Sequence, residues 1–278
     1  MPESWEWDET LFQGSAPYYV QGRLPYASDL ANQLASALQF DGHGRLIDVG
    51  CGPGVLTLPL AHLFEEAVGV DPDDGMLIEA QRRAAFAGIT NTRWVRKRAE
   101  ELPAKLGTFR VAIFAQSFHW MDRDLVASTI YSMLEPGGAF VHVSDAKDGR
   151  SPTESELPYP QPPSATIQEL IQRYLGPVRR AGQGVLLFGT PGGEAAVLQR
   201  AGFPTPERLR IPANATIERS TDDVVAWVFS HSGSAPHLFG DRLAAFEIDL
   251  RQLLNEASPS GRFSERVPDT EVFIWRKP

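Results

Sequence analysis

The sequence predicts an α/β fold with a mostly parallel seven-stranded sheet and helical cap insertions, on three observations. Short apolar strands alternate with helices between Ser28 and Ser144. One strand runs straight into the glycine-rich turn Gly50-Cys51-Gly52-Pro53-Gly54. Chemically active residues stand at the ends of later strands, at Asp71 and at Phe118-His119-Trp120. Strands separated by helices of this length pair in parallel through right-handed crossovers.

Each element has its own local signal. Ser28 is placed to cap a helix over 29–40, with Leu30, Leu34, Ala37 and Leu38 on one face. Residues 45–49 form a short apolar strand, and a helix follows over 53–64, where Pro53 suits a first helical position. Residues 67–70 are the second strand, and Asp73 or Asp74 caps a helix over 75–87. Residues 92–95 are the third strand. The fourth, 111–115, is continuously apolar and so buried on both faces. A helix over 123–134 stops at Glu135-Pro136-Gly137-Gly138, and 139–143 is the fifth strand.

Beyond Asp145 the texture changes. The stretch 151–164 carries Pro152, Pro158, Pro160, Pro162 and Pro163 and reads as an extended loop or linker. Helices are expected over 165–175, from Thr190-Pro191 to 201, over 222–230 with Thr221 as cap, and over 235–257. Residues 207–211 and 271–275 supply the sixth and seventh strands. The expected organisation is a lid segment at 1–27, a nucleoside-binding core at 28–145, a cap insertion at 146–189, a core helix and strand at 190–212, a second cap insertion at 213–262, and the last core strand within 263–278. The insertions and the N-terminal segment are expected to cap the C-terminal ends of the strands, where open α/β sheets bind ligands.

Composition narrows the function. The chain has 278 residues, a net charge of −9 and one cysteine, Cys51. One cysteine excludes a disulfide framework and a multi-thiolate iron–sulfur cluster. The acidic balance opposes a phosphate backbone as partner, so nucleic acid is not expected. The acidic start lacks the pattern of a signal peptide, and no apolar run approaches the ~20 residues of a membrane span. The expectation is a cytoplasmic protein without membrane or nucleic-acid partners, with its oligomeric state open.

The strongest chemical signal is the turn. Gly50 and Gly52 let the backbone bend sharply and approach a ligand. A dinucleotide site would place a third glycine where Val55 stands. Asp48, two residues before Gly50, suits an ammonium or a bridging water rather than a pyrophosphate. Asp71, at the tip of the neighbouring strand, can accept hydrogen bonds from both ribose hydroxyls. Arg98-Ala99-Glu100-Glu101-Leu102 is placed to flank an adenine, and Gln116-Ser117-Phe118-His119-Trp120 lies at the mouth of the same cleft.

Together, Asp48-Val49-Gly50-Cys51-Gly52-Pro53-Gly54, Gly69-Val70-Asp71 and Phe118-His119-Trp120 resemble the Rossmann-like class I S-adenosylmethionine (SAM)-dependent methyltransferases. The similarity is to the small-molecule branch that includes trans-aconitate methyltransferases, and it covers about residues 15–145. The resemblance implies SAM as cofactor, S-adenosylhomocysteine as product, and no metal. It implies that Gly50, Cys51, Gly52 and Gly54 hold the methionine part, and that Asp71 holds the ribose, with Pro72 and Met76 also at the cofactor. Ala99 and Glu100 would contact adenine, and Gln116, Ser117, His119 and Trp120 would pack near the sulfonium. Arg98 stands where relatives often carry Asp. Tyr18-Tyr19-Val20-Gln21-Gly22-Arg23-Leu24-Pro25-Tyr26 resembles the family's Tyr…Arg-Pro-x-Tyr segment with Leu24 inserted. Arg23 would then pair with the SAM carboxylate, and Tyr18 or Tyr19 would cover the methyl.

Plainer roles stand beside these. Cys51 reads as a small filler, Glu100-Glu101 as a solvated pair or an adenine contact, and His119 as a packed histidine or a general base. Trp120 reads as pocket wall and His142 as core. His231 and His237 have a poor metal spacing and are placed to line the cap. Arg179-Arg180 is a solvated face or a contact for an anionic substrate. The expected function is methyl transfer from SAM to an oxygen, nitrogen or carbon of a small molecule, a carboxylate or specialised metabolite among them. The alternatives are a nucleic-acid or protein methyltransferase, or a non-catalytic SAM-binding protein.

Overall fold

The computed structural model describes residues 8–146, 157–178, 180–181, 184–185 and 193–278. Residues 151–156 of the proline-rich stretch, Arg179 and Thr190-Pro191 lie outside the described residues. The chain gathers into two compact units, each discontinuous in sequence: residues 26–149, 190–213 and 269–278 form one, and residues 1–25, 150–189 and 214–268 the other.

The first unit is built on a seven-stranded sheet. Its strands are β1 (Arg45–Val49), β2 (Glu66–Asp71), β3 (Thr92–Arg96), β4 (Phe109–Ala115), β5 (Leu134–Asp145), β6 (Glu207–Ile211) and β7 (Thr270–Arg276). Their spatial order is β3-β2-β1-β4-β5-β7-β6. The first five run parallel, and β7 is antiparallel to both β5 and β6. The order runs outward in both directions from the β1–β4 pair, so a crevice opens at the C-terminal ends of those two strands.

Side-chain alternation distributes the core over both faces. Ile47 and Val49 of β1 join Val126, Ile130 and Leu198 on one face. Leu46 points the other way, into a cluster with Leu30, Leu34 and Leu60. Phe140 stacks on Phe114 with ring centroids 4.4 Å apart, and Trp275 meets Phe140 edge-on at 5.8 Å. These aromatic contacts secure β4, β5 and β7 as one rigid floor.

Several boundaries differ from the sequence expectation, each for a local reason. The helix expected from residue 53 begins at Thr57, because Gly52 and Gly54 hold positive φ values of 52° and 72° that an α-helix does not admit. The first helix is Leu30–Leu38. Ser28 does not cap it: Asp29 stands at the cap and uses its carboxylate on the Asn32 and Gln33 side chains. Asp73 caps the helix Asp74–Phe86 by accepting from the Met76 N–H. β5 starts at Leu134, directly after the helix Arg123–Met133, and its pairing with β4 is irregular where Glu135–Gly138 intervene.

The second unit contains the helices Ala16–Gly22, Ser164–Leu175, Thr221–Phe229 and Leu243–Ala257. It also holds an antiparallel strand pair, Thr216–Ser220 with Arg262–Arg266, which the sequence pattern does not predict. Residues 263–278 therefore do not form one core strand. They divide at Val267-Pro268, and only Thr270–Arg276 enters the sheet. Ser220, not Thr221, caps the helix Thr221–Phe229, in a reciprocal box with Asp223. The helix expected over 235–257 is a 3₁₀ segment, Pro236–Arg242, bent at Gly240 (φ 52°, ψ −132°), followed by Leu243–Ala257. The described part of the proline-rich stretch is tied down: Tyr159 N–H donates to Ser264 Oγ, and Ser264 N–H to Pro160 O.

The helix Ala16–Gly22 packs on the helix Thr221–Phe229 with almost no space between the backbones. A Cβ added at Gly22 would lie 2.4 Å from the Ala226 carbonyl. The buried Arg219 guanidinium fastens the same junction, donating to Gly22 O and Asp223 O, both at 2.6 Å, while Glu265 balances its charge at 2.9 Å. Among the described residues no helix is long and apolar enough to cross a membrane.

Gly22→Ala should therefore destabilise this unit by about 1–3 kcal/mol through overpacking. Urea unfolding followed by tryptophan fluorescence checks this. An unchanged midpoint would show that the two helices separate without cost.

Candidate functional site

The turn after β1 is fixed by its neighbours. Gly50 and Cys51 N–H both donate to Val70 O, at 2.8 and 3.1 Å, so the turn is tied to the end of β2. Gly50 has φ 70°, and a Cβ there would lie 2.5 Å from Ser117 Cβ. Ser117 is buried and donates from Oγ to Val49 O at 2.6 Å. It therefore clamps the end of β4 to the end of β1. Gly54 and Gly69 are both required by Trp94, whose ring would lie 2.8 and 2.5 Å from added Cβ atoms. Gly52 differs: φ is 52°, and nothing stands within 4 Å of where its Cβ would be. The backbone at Gly52 thus borders open space, a cradle that a side chain would fill.

Asp71 ends β2 and is buried, yet both carboxylate oxygens are directed. Oδ2 accepts from Gly52 N–H at 2.8 Å and Oδ1 from Asp73 N–H at 2.9 Å. Burial, opposed by those two bonds and helped by the Asp73 and Asp48 carboxylates, raises its pKa to about 7. Asp48 is 1% exposed and points to the face opposite Ile47. Its Oδ2 accepts from Thr57 Oγ at 2.6 Å, and its Oδ1 has no hydrogen-bond partner among the described residues. Burial lifts its pKa to about 6, opposed by the Thr57 bonds.

Cys51 is buried, with its thiol pushed well above its ordinary value by burial and by the Asp71 and Asp48 charges. Such a thiol is a filler and not a nucleophile. Met76 is buried behind Asp73, and Pro72 accepts a long bond from Arg96 Nε at 3.4 Å. Ala99 is buried at the start of the short helix Ala99–Glu101. The Glu100 carboxylate accepts from Asp122 N–H at 2.9 Å, and Glu101 accepts from Lys97 and from Arg98 N–H. Neither is a plain solvated acid.

Gln116 follows β4 with φ 53°, a left-handed conformation uncommon outside glycine, held by its N–H on Val143 O. Phe118, His119 and Trp120 form one 3₁₀ turn. Phe118 is fully buried against Phe114 and Phe140, which leaves His119 and Trp120, both half-buried, as the outward part of the turn. Their rings lie 4.7 Å apart at 53°. The glycine turn, Asp71 and the Gln116–Trp120 segment are thus joined by hydrogen bonds at the strand ends of one unit, where Thr57 holds Asp48. Tyr18, Tyr19 and Arg23 belong to the other unit. There Tyr18 packs on Phe229 at 5.1 Å, and Arg23 lies over the Tyr19 ring at 5.0 Å and donates to Ser230 O at 2.8 Å. His231 and His237 accompany them, each with Nδ1 on a backbone carbonyl, of Trp227 and Gln13.

Three groups at the site carried no motif in the sequence. Thr57 holds Asp48, Arg83 donates from Nη1 to Pro53 O at 2.7 Å, and Asp122 both caps the helix Arg123–Met133 and holds Glu100. Asp122 alone had a readable signal, as an acid just before a helical pattern.

Residues 46–138 match a family model described as a methyltransferase domain. An uncharacterized methyltransferase of Mycobacterium tuberculosis (strain ATCC 25618 / H37Rv) is 30% identical over 144 residues, covering 51% of this chain and 56% of that protein. The ubiquinone biosynthesis O-methyltransferase of Azorhizobium caulinodans is 34% identical over 98 residues, covering 35% of this chain and 38% of that protein. The chain thus spans little more than half the length of the first of these relatives, and less of the second. Among solved structures, the [4+2]-cyclase SpnF aligns with a TM-score of 0.53 at 18% identity, over 92% of this chain and 88% of that one. The strand order and the family match define the class I methyltransferase fold.

The two buried carboxyls make stability pH-dependent. Both hold protons more tightly in the folded chain than the ordinary Asp value of 3.8. The folded state therefore binds more protons than the unfolded one between about pH 4 and 7. Their stabilising contribution is complete below pH 4 and is lost as pH rises through 6 and 7. Asp48→Asn keeps an acceptor for Thr57 and removes one titration. It should flatten the fall in melting temperature between about pH 4 and 6, by roughly 3 kcal/mol of differential stability at most. Parallel curves for variant and wild type would refute this.

Proposed function

We propose that this chain is a SAM-dependent methyltransferase acting on a small molecule. The observation that carries the reading is the pairing of Asp71 with the open cradle at Gly52. A carboxylate oriented by two backbone N–H groups keeps lone pairs for two vicinal hydroxyls beside a backbone that a ligand can approach. The orphan Oδ1 of Asp48 suits a bound ammonium, which would satisfy a buried acceptor that now lacks a partner. These residues fit SAM.

SAM supplies a methyl group on a sulfonium with its own leaving group. The chain's part is to bind, align and desolvate. The Gly50–Gly54 backbone and Asp48 take the methionine portion, Asp71 the ribose, and Pro72, Met76, Ala99 and Glu100 the adenine side. Gln116, Ser117, His119 and Trp120 line the reacting end. Alignment of acceptor, methyl and sulfur in one line supplies much of the rate. The relative that acts in ubiquinone biosynthesis is an O-methyltransferase. That name supports a hydroxyl acceptor, from which His119 would take the proton.

Asp71→Asn tests the cofactor reading. It replaces a carboxyl that accepts at both oxygens by an amide with one acceptor, and should weaken SAM at least about tenfold by calorimetry. Gly52→Val should abolish binding, with circular dichroism unchanged. Wild-type affinity in both folded variants would sink the assignment.

His119→Ala tests the base. On a hydroxyl acceptor, turnover should fall by about 10²–10⁴ with SAM affinity retained. Full turnover would leave His119 as pocket wall. SAM binding without any methyl transfer across an extract of small molecules would instead identify a binding protein.

A further inference from the structure

The unit formed by residues 1–25, 150–189 and 214–268 holds a cavity of its own, of about 350 Å³. That volume is within the range of small-molecule sites. One wall is a single face of the helix Ser164–Leu175, where Gln168, Ile171, Gln172 and Leu175 recur at helical spacing. The opposite wall is the end of the helix Thr221–Phe229 and the turn after it, with Trp227, Val228, His231 and Ser234.

The lining is graded. Leu175, Val228 and Ser234 are buried, whereas Gln168 and Gln172 are exposed. The Ser234 hydroxyl is used on Val228 O at 2.5 Å. His231 donates from Nδ1 to Trp227 O at 2.6 Å, and its ring stands edge-on to the indole at 5.1 Å. The imidazole is thereby fixed as wall, and it holds the indole in one orientation. The side-chain amides of Gln168 and Gln172 and the indole N–H of Trp227 make no hydrogen bond to the described residues. They supply donors and acceptors at the edge of a space whose apolar wall is Ile171, Leu175, Val228 and the Trp227 ring.

Among the described residues that line it there is no Asp, Glu, Lys or Arg. An ion entering would give up hydration and meet no opposite charge from these residues. An uncharged ring system would bury its body against Trp227, Ile171 and Leu175 and keep its polar edge on the two amides.

We infer that this cavity is a binding site for an uncharged, planar, partly apolar small molecule with a hydrogen-bonding edge. The inference stands on this unit alone and does not depend on methyl transfer.

Calorimetry with indole-3-carboxamide and indole-3-carboxylate, in the full chain without SAM, tests it. The two probes share a shape and differ in charge at neutral pH. The carboxamide should bind at least about tenfold more tightly than the carboxylate. Gln172→Trp, a change at an exposed position, should fill the space and abolish carboxamide binding. Gln168→Glu should weaken the carboxylate further. Equal binding of both probes, binding that survives Gln172→Trp, or no binding of the carboxamide up to its solubility would each overturn the assignment.

Discussion

The Asp71 carboxylate is the interaction on which the rest of the site depends. It stands at the tip of β2, accepts from Gly52 at the β1 turn, and accepts from Asp73 at the start of the next helix. Three chain segments therefore share one buried acid. In water such a group would be ionised and solvated. Here two backbone N–H groups replace that solvent, and burial still lifts the pKa to about 7. A carboxyl poised there is an expensive feature for stability alone, since an apolar residue would be cheaper to bury. Its geometry is repaid only by something that uses its remaining lone pairs.

The glycines around it divide the work. Gly50, Gly54 and Gly69 are demanded from inside, by Ser117 and by the Trp94 ring. Gly52 alone is demanded by its backbone conformation while its outer side stays open. Packing explains the first three and does not reach the fourth.

The strands β1 to β5 were legible because each is a short apolar run bounded by turn residues, and Asp73 was legible as a cap. Asp48, Asp71 and the Gln116–Trp120 segment stood out because they lie at or just after the C-terminal ends of strands. What could not be read had non-local causes. The helix after Gly54 starts late because two left-handed glycines must first be passed. The strand pair Thr216–Ser220 and Arg262–Arg266 joins segments more than 40 residues apart, and its weak alternation resembles loop. Tyr18–Tyr26 reads as unpatterned because its helix is fixed by a glycine at a backbone contact and by the distant Arg219, not by an apolar stripe. Thr57 and the Asp122 amide reach the site only through hydrogen bonds that no spacing rule announces.

The position of β7 also governs the order in which the molecule can be completed. β5 ends at Asp145, but the strand that covers its outer edge begins at Thr270, after the whole 214–268 segment. Among the described residues β6 has no sheet neighbour other than β7. During synthesis the edge of β5 and the whole of β6 therefore wait, with unpaired amides and carbonyls, for the arrival of residues 270–276. An open strand edge of that kind is a template for pairing between nascent chains. The interval between residues 145 and 276 is thus a period in which the growing polypeptide carries an open sheet edge, and the closing strand covers the edge of β5 on one side and the inner edge of β6 on the other.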